Sequence, residues 1–143
     1  EKAARGNDER TFPWGNQPDT KRANHLRSRD PFDNGTTPVG YFDGTSQNGF
    51  ETLDGRSPFG LQDMAGNVWE WVQDEYAADY YARSPENNPV NFDPIRSAFH
   101  IDRVLRGGSW FNTPFLIRTT ARFNLVSASQ GETTGFRCVR NAP

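Results

Sequence analysis

Thiol and imidazole groups, which often bind transition metals or act as nucleophiles, are scarce in this sequence. Its 143 residues include one cysteine, Cys138, and two histidines, His25 and His100. One thiol excludes a disulfide within the chain, a two-cysteine metal site and any reaction that needs two thiols. Two imidazoles exclude a metal site built from three histidines. The residues of this chain therefore cannot by themselves build any of these sites.

The densest run of aromatic, acidic and glycine residues extends over residues 59–72. Its residues 65–67, Ala-Gly-Asn, predict a turn. Beyond the turn, alternation predicts a strand with Trp69 and Trp71 on one face and Glu70 on the other. This strand would fix the position of the Glu70 carboxylate for any chemistry in which the acidic residues take part.

The composition predicts one loop-rich domain. Thirteen glycines and ten prolines favour turns over long helices, and nineteen aromatic residues supply a core that the 34% hydrophobic content would otherwise leave small. A net charge of −2 gives no global attraction to nucleic acid or anionic membranes. No stretch approaches the roughly 20 apolar residues that span a bilayer.

Residues 1–5 are strong helix formers, and Gly6 is a natural helix terminator. A helix of five residues is marginal by itself in water. We therefore expect this helix to begin upstream and to dock on a sheet that an upstream segment or another chain completes.

Other elements follow from local patterns. We predict an aromatic turn at residues 12–16, a surface loop at 43–58, a short helix starting within 73–81, a strand at 103–106 before the Gly107-Gly108 turn, and a closing strand at 135–140.

Six motifs, EKAARG, FPWGN, TTPVG, FGLQDMAGNVWEWV, RVLRGGSW and GFRCVR, occur in this order between residues 1 and 140. In sequence and approximate spacing they resemble the formylglycine-generating enzyme (sulfatase-modifying factor) family. The resemblance implies an α+β, loop-rich fold that is similar to a heavily decorated C-type lectin. It also implies that residues 1–143 are the C-terminal part of a single domain.

The resemblance further implies two structural calcium ions. One would be held by the carboxylates of Asp63 and Glu70 and the backbone carbonyls of Gly66 and Val68. Calcium takes six to eight oxygen ligands at about 2.3–2.6 Å, and a tight turn allows carbonyls to converge on it. A turn with two solvated carboxylates is the alternative.

The other implied calcium site consists of the Asn24 side chain, the His25 carbonyl, the Asp30 carboxylate and the Phe32 carbonyl. Asp33 competes as a ligand, because the alignment with the family pattern needs a one-residue shift. An ordinary loop with Asx turns is the alternative. We expect the His25 imidazole to pack or face solvent rather than bind metal.

Formylglycine-generating enzymes bind copper(I) with two cysteines after the Gly-Gly-Ser motif, here residues 107–109, and use oxygen to oxidise a cysteine of a sulfatase. Asn112 stands where the first cysteine belongs, and residues 113–117 contain none for the second. Copper(I) prefers thiolates to amides or hydroxyls. We therefore expect neither copper nor formylglycine generation, and we expect Cys138 to be an inert residue of the closing strand.

Non-sulfatase relatives suggest other uses of the loops after the motif. Diversity-generating retroelement variable proteins share the RGGSW…GFR frame and use the residues between as a receptor surface. By this resemblance we predict ligand binding by Ser109, Trp110, Asn112, Phe115, Arg118, Arg122 and Phe123. The hydrophobic residues Phe111, Leu116, Ile117, Leu125 and Val126 would be exposed in the same region, or about half of these side chains would pack inward.

Ergothioneine-type sulfoxide synthases carry a similar RTT-x-R stretch, here residues 118–122, and take iron from three histidines of a separate helical domain. Arg118 and Arg122 could bind a carboxylate or phosphate, or form structural salt bridges.

The sequence thus predicts a calcium-stabilised family member that lacks formylglycine-generating activity and binds an unidentified protein or small molecule through residues 112–126. The alternative is an oxidative enzyme, formylglycine-generating or similar to the sulfoxide synthases, whose metal lies in upstream sequence. Extracytoplasmic calcium is millimolar and would fill weak sites, which favours export.

Overall fold

The computed structural model describes residues 1–32, 34–92 and 101–139, and all regular elements in this part are short. The helices are α1 (Lys2–Arg5) and α2 (Tyr80–Arg83). The strands are β1 (Ser46–Gln47), β2 (Phe50–Glu51), β3 (Trp69–Glu75), β4 (Asp102–Arg106), β5 (Phe123–Val126) and β6 (Thr134–Gly135).

Strands β3, β4, β5 and β6 form one four-stranded sheet in the order β5-β4-β3-β6. Strand β4 is antiparallel to both β3 and β5, whereas β6 is parallel to β3. Strands β1 and β2 form a separate antiparallel hairpin. Because turns and loops connect these elements over most of the described chain, the α+β, loop-rich architecture expected from the sequence is confirmed.

Two small hydrophobic clusters hold the loops to the sheet. The first consists of Phe12, Ala23, Ala65 and Ile117, with Trp14 packed against it. The second consists of Trp69, Leu105 and Ala121, with Trp71, Leu116 and Leu125 packed against it. Both indoles of the 59–72 segment therefore face one cluster, as their alternation predicts.

Several local predictions are confirmed. Helix α1 ends before Gly6, residues 12–16 form a turn in which Phe12 bonds Gly15, and β4 leads into the Gly107-Gly108 turn. The two glycines have φ angles of 92° and 75°, a region that side chains with a Cβ rarely adopt.

The prediction of a plain surface loop over residues 43–58 is wrong, because this segment contains the β1–β2 hairpin. Asn48 and Gly49 have φ angles of 51° and 78° at its tip. Two positive φ angles are typical of the two-residue turn that Asn-Gly favours. The sequence signal was present in Ser-Gln-Asn-Gly-Phe.

Three further boundaries differ from prediction. Strand β3 extends to Glu75, beyond the predicted 59–72 run, whereas helix α2 begins at Tyr80, within the predicted range of 73–81. The closing strand contains only Thr134–Gly135, and Cys138 is exposed beyond it rather than buried within it; Arg140 lies outside the described residues. Strand β5 forms within a stretch predicted as a variable loop because residues Phe123–Val126 complete the edge of β4.

None of the helices in the described part of the chain has the length and apolar character needed to cross a membrane.

Candidate functional site

The loop after the Gly107-Gly108 turn is closed by the amide of Asn112. Its Oδ1 accepts hydrogen bonds from the backbone N–H and the hydroxyl of Ser109, each at 2.9 Å. The Asn112 carbonyl accepts the N–H of Leu26 at 2.9 Å, which ties this loop to the His25 loop. Asn112 therefore has a structural role in this loop.

Ser109 does not offer its hydroxyl to a ligand, because its side chain is buried and bonds Asn112. The exposed part of the predicted binding residues is aromatic. Phe111, Phe115 and Phe123 expose 61%, 64% and 45% of their surface. The Arg118 guanidinium lies 3.8 Å from the Phe115 ring centroid and its Nε donates to the Phe115 carbonyl at 2.8 Å.

We use the name aromatic face for three exposed phenylalanines of positions 111–123 and the arginine that covers one of them, namely Phe111, Phe115, Phe123 and Arg118. Phe111 contacts Trp110 edge-on at 5.5 Å between ring centroids, and Phe123 stacks on Trp69 at 5.6 Å. These contacts hold each ring in a defined position while leaving much of it exposed.

Not every hydrophobic residue of this region is exposed. Ile117 is 1% exposed and belongs to the first core cluster, and Leu116 and Leu125 pack against the second. Val126 is 37% exposed at the end of β5. Ile117 therefore follows the inward-packing alternative, and its side chain closes the space beside Gly108.

Arg122 and Arg118 contact different aromatic residues. Its guanidinium lies between the rings of Tyr76 and Tyr81, 4.8 Å and 4.6 Å from their centroids. It lines a cavity of about 390 Å³ that also includes Glu75 and Val104. Arg122 thus faces a tyrosine-lined cavity instead of the aromatic face.

The carboxylate of Glu70 forms a two-bond ion pair with Arg137. Nε donates to Oε2 at 2.6 Å and Nη2 to Oε1 at 2.5 Å. The same guanidinium donates to the carbonyls of Gln62 and Asp63 at 3.2 Å and 3.0 Å. Arg137 thereby joins the end of the chain to the turn before β3.

The backbone carbonyl of Asp63 contacts Arg137, whereas its carboxylate has a different hydrogen-bond partner. Its Oδ2 accepts the backbone N–H of Gly40 at 2.7 Å. Burial raises the pKa of Asp63, while the Gly40 hydrogen bond and the charge of Arg137 oppose the rise. Folding therefore places Asp63 and Glu70 beside the same arginine, which donates to the Asp63 carbonyl and to the Glu70 carboxylate.

The implied calcium ligands Asp63, Gly66, Val68 and Glu70 fit an added cation poorly in this arrangement. Glu70 already has a cationic partner that uses both of its oxygens. A calcium ion at these residues would have to compete with Arg137 for Glu70.

The other implied set fits a hard cation better. Asp30 is 3% exposed; its oxygens accept the Ser28 hydroxyl at 2.5 Å and the Phe32 N–H at 2.8 Å. Among the described residues, none with a positive charge forms an ion pair with it. A buried carboxylate with only neutral partners favours an additional cation.

The remaining residues of this set lie in the same loop. Asn24 donates from its side chain to the Gly35 carbonyl at 2.8 Å, and the His25 and Phe32 carbonyls accept the N–H groups of Ser28 and Gly35 at 2.9 Å each. A carbonyl oxygen has a second lone pair that can face a cation. Asp33, the competing ligand, lies outside the described residues.

Within the described ranges, no cluster of three or more His, Cys, Asp or Glu side chains is arranged to hold a metal. The implied calcium sets depend instead on carbonyl and amide oxygens. Calcium at either set stays a prediction.

Arg137 is the residue that sequence reasoning did not assign to the site. Its signal was its place in the GFRCVR motif, although the motif does not indicate which acid it pairs with. The partner lies 67 positions away in the sequence.

Comparison with known proteins places these residues in a family context. The family described as "Sulfatase-modifying factor enzyme 1-like domain" matches residues 1–142. A formylglycine-generating enzyme of Thermomonospora curvata is 35% identical over 96% of this chain and 46% of that protein. A bovine protein named inactive C-alpha-formylglycine-generating enzyme 2 is 32% identical over 92% of this chain and 38% of that protein.

The fold has a counterpart among solved structures. The structure of PvdO from Pseudomonas aeruginosa superposes with a TM-score of 0.72 and 26% identity over 94% of this chain and 47% of that one. The chain spans less than half the length of each of the curated relatives described above.

Proposed function

The chain belongs to the family of sulfatase-modifying factor enzyme 1-like domains, and on that premise we propose that it is a calcium-stabilised binding module without formylglycine-generating activity. The residue at position 112 carries this proposal. The family's copper chemistry needs a thiolate there, and this chain has an amide that is already engaged with Ser109.

Similarity to named proteins does not decide between activity and its absence. One relative is named a formylglycine-generating enzyme and another an inactive counterpart, and their identities to this chain, 35% and 32%, are similar. The chemistry of individual residues therefore weighs more than overall identity. The single thiol, Cys138, is exposed beyond β6 and has no second thiol to complete a copper site.

The aromatic face supports binding as the alternative use of this region. Three phenylalanine rings are exposed, and Arg118 covers one of them with a cation. Exposed aromatic residues beside arginine are typical of protein interfaces. We propose a partner with an apolar segment flanked by acidic residues.

An oxidative enzyme remains the second candidate. Its catalytic metal would be held by residues outside this chain, and the tyrosine-lined cavity at Arg122 would hold an anionic substrate. Iron or copper that copurifies with the full-length protein and is lost with its upstream residues would favour this candidate.

The absence of formylglycine generation can be tested directly. Incubated with copper(I), oxygen and a sulfatase-derived peptide containing the target cysteine, the protein should yield no aldehyde by mass spectrometry, because one thiol cannot form a two-thiolate copper site. The enzyme of Thermomonospora curvata is the positive control. Aldehyde formation that disappears in Cys138→Ser would make Cys138 catalytic and end the proposal.

Calcium should stabilise the protein through Asp30. At about 100 times its dissociation constant, a ligand that binds only the folded state contributes about 2.7 kcal/mol. A chelator should lower the melting temperature by about 5–10 °C in the wild type and by much less in Asp30→Asn. The matched control is Asp54→Asn, an exposed carboxylate paired with Arg56. A wild-type melting temperature that a chelator leaves unchanged would rule out a structural calcium ion.

Binding through the aromatic face predicts a localised loss. Phe115→Ser should weaken capture of a partner about tenfold or more without lowering stability, because the ring is largely exposed in the free protein. Val39→Ser, 88% exposed and outside the region, is the control. Equal effects of the two variants on every captured partner would locate binding elsewhere.

A further inference from the structure

Strand β5 (Phe123–Val126) forms one edge of the four-stranded sheet. Its sequence, Phe-Asn-Leu-Val, contains no charged residue and no proline, and its register with β4 continues without a bulge from one end to the other. Natural edge strands are commonly protected from pairing with another strand by charged side chains, by proline or by a β-bulge. Strand β5 has none of these three protections.

The hydrogen bond between Ser127 and Ile101 shows which backbone groups of β5 bond β4. The Ser127 N–H donates to the Ile101 carbonyl at 2.9 Å, one position beyond the paired residues of the two strands. In an antiparallel pair, residues that bond the neighbouring strand alternate with residues that do not. Leu125, two positions before Ser127, therefore bonds β4, whereas the backbone groups of Asn124 and Val126 face the open edge.

Asp102 provides an independent check of this alternation. It lies opposite Val126 in the register of β4 and β5. Its carbonyl accepts the N–H of Tyr76, which directly follows β3, at 2.7 Å. Because Asp102 bonds on the β3 side of its strand, the backbone groups of Val126 point away from β4.

The open edge of β5 offers two donors and two acceptors. Among the described residues, nothing accepts the N–H groups of Asn124 and Val126, and nothing donates to the carbonyls of Asn124 and Arg122. Arg122 directly precedes β5 and has the same alternation as Asn124. The carbonyl of Val126 is not one of these free groups, because it accepts the Ser129 N–H at 2.8 Å.

The side chains on one face of β5 are only partly covered. Phe123 and Leu125 lie two positions apart and so share a face. Phe123 stacks on Trp69 but is 45% exposed, and Leu125 is half-buried against the second core cluster. An aromatic and an aliphatic side chain placed directly opposite each other on two antiparallel strands stabilise the pair.

We propose that two copies of this protein associate by antiparallel pairing of their β5 strands, with Asn124 of one protomer opposite the partner's Asn124. Each Asn124 N–H then bonds the partner's Asn124 carbonyl, and each Val126 N–H bonds the partner's Arg122 carbonyl. In this register each Phe123 lies opposite the partner's Leu125.

A second copy fits this edge because the edge is its own complement. Its free donors meet its free acceptors, its exposed ring meets an aliphatic side chain, and no charged residue of β5 repels its counterpart. The inference goes beyond the proposed function. Of the aromatic face, only Phe123 takes part in this pairing.

Sedimentation velocity over a concentration range from about 1 μM to 1 mM should show a dimer that forms as the concentration rises. Val126→Pro should weaken this dimer about tenfold or more, because it removes one hydrogen bond from each protomer. Proline is tolerated at an edge position whose N–H faces solvent, and the preceding residue is already extended. Val126→Ala is the control, since it shortens the same side chain but retains the N–H, and it should dimerise nearly as well as the wild type.

Amide hydrogen exchange followed by NMR tests the pairing on the wild type and does not depend on the folding of a variant. The N–H groups of Asn124 and Val126 should exchange about tenfold more slowly in the dimer than in dilute protein, because pairing engages both of them. The Leu125 N–H is the internal control. It bonds β4 in the monomer, so its exchange should change much less.

Other results would overturn the proposal. A protein that stays monomeric up to 1 mM has no such pairing, and a dimer that persists in Val126→Pro uses a different surface. Slow exchange of Asn124 and Val126 at every concentration would mean that another part of the same protein covers the edge. Slow exchange only after a different protein is added would mean that the edge binds that protein instead.

Phe115→Ser separates the dimer from the proposed binding face. This variant should dimerise as the wild type does, because Phe115 lies outside β5. Loss of partner capture with an intact dimer would support both proposals, and an intact dimer without partner capture by the wild type would refute only the binding face. Loss of the dimer in Phe115→Ser would contradict pairing through β5.

Discussion

Replacing Gly66 with alanine should remove about 4 kcal/mol or more of folding stability, which is a large part of the total for a domain of this size. A Cβ at this position would lie far inside van der Waals contact with the carbonyl oxygen of Asn24. That carbonyl cannot move freely, because it accepts the Asn67 N–H at 2.8 Å. Gly66 also has a φ angle of 79° and bonds Gly107 through its N–H at 2.8 Å.

The control for this prediction is Gly60→Ala. Gly60 has nearly the same φ angle, 75°, but a Cβ there would have no neighbour within 4 Å. The Gly60→Ala variant should therefore lose only about 1 kcal/mol of folding stability, which is the cost of a left-handed backbone conformation for a residue with a side chain. Urea denaturation of both variants measures the difference. Similar losses would mean that backbone strain, and not the contact with the Asn24 loop, explains the glycine.

Arg137→Met should destabilise the protein by about 2–3 kcal/mol near neutral pH. Breaking a buried ion pair costs about 3–5 kcal/mol, and the value here is reduced because a third of the Arg137 side chain is exposed. The substitution leaves the Glu70 carboxylate and the Asp63 and Gln62 carbonyls without their donor. Because methionine retains much of the aliphatic packing of the arginine side chain, the loss of stability measures the contribution of the charge.

The pH dependence identifies this mechanism. Burial raises the pKa of Asp63 above its unfolded value, so the folded state binds the proton more tightly. Stability therefore falls as pH rises from the unfolded pKa through the raised folded pKa. Arg137→Met removes a charge that holds the pKa of Asp63 down, so the total loss of stability over this pH range should be larger in the variant. A loss that is equal at acidic and neutral pH would indicate packing alone.

Arg56→Met provides the matched control for the ion pair. Arg56 and Asp54 form a similar pair, but about half of each side chain is exposed. Exposed pairs contribute about 0–1 kcal/mol. A loss in Arg56→Met as large as that in Arg137→Met would show that burial does not explain the effect.

Local sequence was sufficient where one segment determines its own conformation. The alternation of Trp69 and Trp71 predicted one buried face, and Gly107-Gly108 predicted a turn, in which both φ angles prove to be positive. The β1–β2 hairpin was equally local, and its Asn-Gly signal was missed amid the polar composition of residues 43–58. In such cases steric limits on a few neighbouring residues fix the backbone.

The exposure of hydrophobic residues was less predictable. Phe115 and Ile117 are two positions apart in one irregular loop, yet one is 64% exposed and the other 1%. No periodicity distinguishes them because the loop repeats neither a helical nor a strand pattern. Their environments depend on the core cluster that forms around Ile117 from Phe12, Ala23 and Ala65.

The sequence by itself determined that this chain has one thiol and an asparagine at position 112, because neither observation needs coordinates. It also determined the family, because six motifs in a fixed order can be recognised without knowing which residues they contact. Only the tertiary structure decided that Glu70 pairs with Arg137, and that His25 and Trp110 line one cavity. Composition and order are properties of the chain alone. The choice of a partner depends instead on which distant segments the packed core brings within hydrogen-bonding distance.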